Sequence, residues 1–144
     1  MGLSDSAQLA ALRFHQFVYE GTGGRLGHRL IGAPSLLMTS VGRKTGERRT
    51  AALVYAKDGD SYVVTASNGG ADKPPGWLFN VKAKPDVDVQ VARTKFAARA
   101  EAIGPDHADY KRLWELVNKT NRHRYDQYQK KTERPIELVR LTPV

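Results

Sequence analysis

Arg49-Thr50-Ala51-Ala52-Leu53-Val54-Tyr55, the turn pair Asp58-Gly59, and Ser61-Tyr62-Val63-Val64-Thr65-Ala66-Ser67 decide the fold class. Both runs carry β-branched and aromatic residues, and an aspartate–glycine pair between such runs marks a hairpin. Working outward, Gly32-Ala33-Pro34 opens an earlier strand over Ser35 to Val41, and Gly42 to Arg48 is the loop that brings the chain back. Val87, Val89 and Val91 alternate with Asp88 and Gln90, the pattern of a half-buried strand. Beyond the Arg93-Thr94 turn, Phe96, Ala98, Ala100 and Ala102 form one face of the next strand, and Pro135 leads into a last one, Ile136 to Leu141.

Helices flank these strands. Ser4 or Asp5 caps a helix running to about Tyr19, with Ala10, Phe14 and Phe17 at helical spacing, and the Gly21–Gly24 cluster ends it. Asn68 to Pro75 is a polar loop, and Gly76 to Ala83 reads as a short helix carrying Trp77 and Phe79. Pro105 and Asp106 start a third helix, whose apolar face is Tyr110, Leu113, Trp114 and Val117; a basic, tyrosine-bearing segment follows. The expected fold is mainly β (α+β): about six mostly antiparallel strands in a small barrel with about three flanking helices. Strands and long helices do not alternate, which argues against a doubly wound parallel sheet. The 144 residues suit one domain, with residues 1–33 as helix and linker and 34–144 as barrel.

The chain holds 23 Lys and Arg against 15 Asp and Glu, a formal net charge of +8 that calls for an anionic partner. With no cysteine, disulfides, thiolate chemistry and zinc–cysteine sites are excluded, and a reducing cytoplasm is the expected setting. Met1 to Gln8 lacks the basic-then-apolar order of a secretory signal, and no apolar run nears the ~20 residues that span a bilayer.

Familiar motifs fail. Gly42-Arg43-Lys44-Thr45 has Arg43 where a P-loop needs glycine. Gly21-Thr22-Gly23-Gly24-Arg25-Leu26 lacks the last glycine of the dinucleotide fingerprint. His15, His28, His107 and His123 are scattered without metal-ligand spacing, so no metal is expected. With no nucleophile elbow and no carboxylate pair, either the chain is no enzyme or a cofactor carries the chemistry.

Gly42-Arg43-Lys44-Thr45-Gly46-Glu47-Arg48-Arg49 is the informative loop, with four cations between two strands. Its glycines free amide donors and Thr45 adds a hydroxyl, which together make a cradle for phosphate or carboxylate oxygens. The bland alternative is a solvated hairpin tip. Ala66-Ser67-Asn68-Gly69-Gly70-Ala71-Asp72-Lys73 is small and polar enough to lie against a flat ring, and the helix after Pro75 presents its N-terminal amides to an anion.

Thr39-Ser40-Val41-Gly42-Arg43-Lys44-Thr45-Gly46, Ala66 to Pro74 and Trp77-Leu78-Phe79-Asn80-Val81-Lys82-Ala83-Lys84-Pro85 together resemble the deazaflavin (coenzyme F420)-dependent nitroreductase and quinone reductase family of actinobacteria. Tyr125-Asp126-Gln127-Tyr128 and Thr132-Glu133-Arg134-Pro135-Ile136 follow in matching order, so the resemblance spans about Pro34 to Pro143. It implies a split β-barrel that binds reduced coenzyme F420 and passes hydride to a quinone, enone or nitro-aromatic. It implies that Arg43, Lys44 and Thr45, with Arg49, hold the phosphate and oligoglutamate tail, and that Thr50, Ala51 and Ala52 on the following strand also bind the coenzyme. Ala66, Ser67, Asn68 and Gly69 would flank the deazaflavin ring, with Trp77, Leu78 and Asn80 nearby. Tyr125 and Tyr128 would line the acceptor pocket, and with Ser67 they are the candidates to hydrogen-bond the acceptor oxygen.

The chain also departs from that family. Ala51 and Ala52 replace a common Asn-Pro, a usual tyrosine falls at Val54 with Tyr55 on the opposite face, and Arg122 and His123 replace a tyrosine and a proline. Acceptor preference is the property these changes touch most. The rival readings are a coenzyme carrier without turnover and a barrel using flavin mononucleotide. Nucleic-acid binding is not expected, because neither basic cluster is patterned for groove entry. Contact with a membrane through the N-terminal helix would be weak, since Leu3 to Tyr19 holds one arginine and no lysine. Monomer and homodimer both fit.

Overall fold

The computed structural model describes residues 33–144; the expected N-terminal helix lies outside them. Six strands close an antiparallel barrel in the order β1-β2-β3-β6-β5-β4. They are β1 (Ser35–Val41), β2 (Arg48–Asp58), β3 (Ser61–Thr65), β4 (Asp86–Val91), β5 (Thr94–Ile103) and β6 (Leu138–Pro143). Three helices are described: α1 (Gly76–Ala83), α2 (Tyr110–Thr120) and α3 (Arg124–Gln129).

Alternation along each strand sorts the side chains. Pairings such as Leu36 with Leu53, Tyr55 with Val64 and Val87 with Ala98 put one residue set inside. Leu36, Met38, Val64, Val89, Val139 and Leu141 fill that interior, and Leu78 and Val81 of α1 close one end. The opposite sheet face supplies Ala56, Val63, Ile103 and Leu138, against which Leu113 and Val117 of α2 pack together with Tyr125 of α3. The period-2 rule explains both layers: residues two apart share a face, so one barrel wall feeds two cores.

Several boundaries differ from the sequence expectation. β2 runs through Ala56 and Lys57 to Asp58, because these pair with Val63, Tyr62 and Ser61 across a two-residue turn of Gly59 and Asp60. Gly59 there has φ +60, a conformation that favours glycine. The β4–β5 turn is Ala92-Arg93 rather than Arg93-Thr94, since Val91 pairs with Thr94. α2 begins at Tyr110; Pro105 and Asp106 lie in the turns before it. β6 starts at Leu138 and extends to Pro143. The basic segment after α2 contains a helix of its own, α3. It enters from two left-handed residues, Arg122 (φ 56) and His123 (φ 60), and the His123 amide donates to the Asn118 carbonyl at 2.7 Å.

Candidate coenzyme site

The quoted motifs meet at one end of the barrel. The antiparallel order brings the β1–β2 loop, the segment after β3 and the closing helix α1 to the same rim. Gly42 donates to the Glu47 carbonyl at 2.7 Å and Gly46 to the Gly42 carbonyl at 2.8 Å, which closes the loop on itself. Gly46 has φ +74. A side chain at Gly42 would press on Thr45 Oγ1 and the Glu47 carbonyl, so the ring stays this tight only with glycine.

Asn80 docks this loop on α1. Its Oδ1 accepts from the Arg43 amide at 3.1 Å and from Arg43 Nη1 at 3.0 Å. Arg43 also lies over the Phe79 ring, 5.0 Å from its centroid, and reaches the Gly76 carbonyl at 3.4 Å. Its guanidinium is thereby held at the first turn of a helix that has no side-chain cap. The four loop cations are not equivalent. Arg48 pairs with Asp88 at 2.6 Å and Arg49 with Glu47 at 3.2 Å. Lys44 has no partner among the described residues, and neither do the backbone N–H groups of Lys44 and Thr45. Thr45 Oγ1 accepts from the Glu47 amide at 3.2 Å, which leaves its own proton to donate.

Alternation divides the rest of the expected set. Ala51 faces inward with Met38, whereas Ala52 sits outside with Leu37, and Thr50 shares a 2.8 Å hydroxyl contact with Thr39. The strand does not bring Thr50 and Ala52 onto the face of Ala51. Ala66 and Leu78 are buried in the barrel core and Trp77 packs on it, so Ala66 and Leu78 have only backbone to offer a ligand.

After β3, residues 66–71 make a tight turn. Asn68, Gly69 and Gly70 have φ values of 45, 64 and 85, and Asn68 Nδ2 donates to the Lys73 carbonyl at 2.9 Å. Gly70 is required by contact as well as by φ: a Cβ there would stand 2.7 Å from the Tyr128 carbonyl. That approach seats the turn on α3. Tyr128 is half-buried and Tyr125 is 5% exposed, their ring centroids 6.2 Å apart. Burial pushes the Tyr125 hydroxyl above its ordinary value, against weaker opposing contacts from Asn121 and Thr65. The amides and the hydroxyl of Ser67 and the amide of Asn68 have no partner among the described residues.

Sequence reasoning gave Arg134 no role in this rim. Its Nε donates to the Ala71 carbonyl at 2.8 Å, Nη1 to Ala66 at 3.3 Å and Nη2 to Ser67 at 2.8 Å. Its charge alone could not have revealed a cation devoted to neutral carbonyls.

Among the described residues, the rim thus offers an unpartnered ammonium, a fixed guanidinium, two spare amides, a hydroxyl and an uncapped helix start. This donor set fits a ligand rich in phosphate and carboxylate oxygens. A surface cavity of about 830 Å³, lined in part by Tyr110, Trp114, His123 and Lys130, involves none of the rim residues. No group of residues suited to holding a metal occurs among the described residues, and none of the described helices is long and apolar enough to cross a membrane.

Comparisons with known proteins give the family. The F420H(2)-dependent quinone reductase Rv1261c of Mycobacterium tuberculosis is 49% identical over 132 residues, covering 91% of this chain and 89% of the relative. A solved F420-H2 dependent reductase (FDR-A) is 32% identical with a TM-score of 0.68, covering 75% of this chain and 93% of that one. A further solved structure, described as a domain-swapped dimer, is 28% identical with a TM-score of 0.70, covering 97% and 99%. A family profile described as F420H(2)-dependent quinone reductase matches residues 11–143, and the chain belongs to that family.

Proposed function

We propose that this F420H2-dependent reductase grips its coenzyme at the rim formed by the 42–49 loop, the start of α1 and the 66–71 turn, and reduces a quinone there. The observation that carries this reading is Lys44: a cation beside two amides, all without a partner among the described residues, on a loop fixed to α1 through Asn80. Lys44, Thr45 and the α1 amides hold phosphate and carboxylate oxygens, with Arg43 and Arg49 adding field. Asn80 positions the loop. The turn from Ala66 to Gly69 gives its backbone to the ring, and Trp77 walls the site from below.

When bound, the reduced deazaflavin supplies the hydride, so the protein needs no nucleophile of its own. Holding both reactants in contact lowers the barrier by at most about 7–11 kcal/mol. Tyr128 and Ser67 donate to the quinone oxygen as charge develops, a contribution on the order of 3–4 kcal/mol per donor. Tyr125, buried under α3, supports that helix. The whole chain is read as one coenzyme-binding domain working in the cytoplasm. A homodimer is in keeping with the domain-swapped neighbour, and light scattering of the purified protein would test it.

Titrating coenzyme F420 into the chain and into Lys44→Ala, by fluorescence, tests the grip. The variant should bind roughly tenfold more weakly, equivalent to about 1.4 kcal/mol, and the difference should shrink as salt screens the charge. Equal affinities at low salt would remove Lys44 from the site. Following reoxidation of reduced coenzyme by menadione separates an enzyme from a mere carrier: a rate equal to the protein-free control would leave only binding.

A further inference from the structure

We infer that Arg134 is a positioning residue of this site, fixing the ring-side turn against α3 and aiming its amides at the coenzyme. The inference rests on the site reading above and adds a residue to it.

One guanidinium collects three carbonyls from both limbs of the turn: Ala66 and Ser67 before it, Ala71 after it. The turn needs such a brace, because three successive residues, Asn68, Gly69 and Gly70, adopt positive φ. Two of them are glycines, which gain the most freedom once released. The arginine is itself held. Its amide donates to Thr132 Oγ1 at 3.3 Å, and the Thr132 hydroxyl donates to Asp72 Oδ1 at 2.9 Å. Its carbonyl accepts from Gln129 Nε2 at 2.8 Å, and Gln129 Oε1 accepts from the Ile136 amide at 2.9 Å. Gln129 is the last residue of α3, the helix that carries Tyr128. With Gly70 against the Tyr128 backbone, turn and helix share one frame.

Peptide planarity gives the contacts a direction. Each trans peptide points its N–H opposite to its carbonyl. Arg134 holds the carbonyls of Ala66 and Ser67, so the partner-free amides of Ser67 and Asn68 face away from it. A cation on the carbonyl side also polarises the peptide and strengthens the donor on the other. Arg134 spends its donors on backbone carbonyls, which separates its task from that of Lys44.

The test compares the unaltered chain with Arg134→Gln and Arg134→Lys by three readings. These are deuterium uptake of residues 66–73 without coenzyme, coenzyme affinity, and the single-turnover rate of menadione reduction at saturating coenzyme. Arg134→Gln should raise uptake in that segment above any rise in the β4–β5 hairpin. It should change affinity several-fold and cut the saturating rate by ~100-fold, the scale of a misplacement of about 1 Å. Arg134→Lys, with a single compact donor group, should fall between the two and carries the test if the glutamine variant does not fold. Raised uptake with an undiminished saturating rate would overturn the inference alone, leaving a brace for folding only. Unchanged uptake would overturn it as well. If the unaltered chain fails to bind coenzyme, the site reading fails and takes this inference with it.

Discussion

Tyr125 and Tyr128 lie three residues apart on α3 with their rings edge to face, and their surroundings separate them. Tyr125 is enclosed by Val63, Leu113 and Leu138, while Tyr128 remains half-exposed with Lys131 Nζ 5.7 Å from its ring centroid. The Tyr125 hydroxyl is enclosed beside the buried Asn121 and Thr65. Tyr125→Phe should therefore cost about 1 kcal/mol of stability in denaturant unfolding, with little change in rate per folded molecule. Tyr128→Phe should do the reverse: unchanged stability and a saturating rate lower by roughly 100–1,000-fold. At Gly70, alanine combines a left-handed backbone with a 2.7 Å approach to Tyr128. Gly70→Ala should lower stability by about 1–3 kcal/mol, read by thermal melting. These distinctions were not in the sequence, where both tyrosines resemble a single motif. Burial is decided by α2, and no local pattern reports it.

Among the elements, the barrel was the most legible part, because valine alternation at 87, 89 and 91 and the Asp58-Gly59 signal each report a local rule. α3 was the least legible. It has six residues, less than two turns, too few for helical periodicity to emerge, and its charge resembles that of a loop. What starts it is the tight turn at Arg122 and His123, an arrangement that a sequence rule assigns to glycine. The polar set behind that turn compensates: Asp126 accepts from Trp114 Nε1 at 2.9 Å, its amide donates to Asn118 Oδ1 at 2.8 Å, and His123 Nδ1 stands 3.3 Å from Asp126 Oδ2. A left-handed non-glycine costs about 1–2 kcal/mol, of which glycine would recover part. Arg122→Gly, which disturbs none of these contacts, should raise the melting temperature by a few degrees. A lowered melting temperature would show that the turn is not strained.

At the scale of the whole molecule, one ion cluster ties the β2–β3 hairpin to β5, β6 and α2. Arg140 reaches Glu101 at 2.8 Å and Asp109 at 3.0 Å, and Arg112 reaches Asp58 at 2.9 Å. The Arg112 hydrogen bond holds the Asp58 carboxyl below its ordinary range, and Arg140 does the same for Glu101. Such groups bind protons more readily when the chain is unfolded. Their stabilisation is complete above about pH 5, beyond the ordinary carboxylate range, and drains away as the pH falls from there through their lowered folded values. Asp58→Asn should flatten the drop in melting temperature between those conditions. Tyr110, pushed up to about 12 mainly by burial with Glu137 adding to it, stays protonated throughout and keeps its 2.6 Å bond to the Ile136 carbonyl.

Of the candidate site, the part legible in the sequence was its backbone. Glycines and cations in the 42–49 loop pointed to an anion, and the fold brings that loop to α1. The division of labour among those cations was hidden, because it depends on Glu47, Asn80 and Asp88 arriving from other elements. The most direct measurement is a crystal structure of the chain with coenzyme F420. The predicted result is phosphate and carboxylate oxygens on Lys44, Thr45 and the first turn of α1, with the ring lying along Ser67 and Asn68. Coenzyme bound instead in the cavity beside Tyr110 and Trp114, with the loop cations free in solvent, would contradict it.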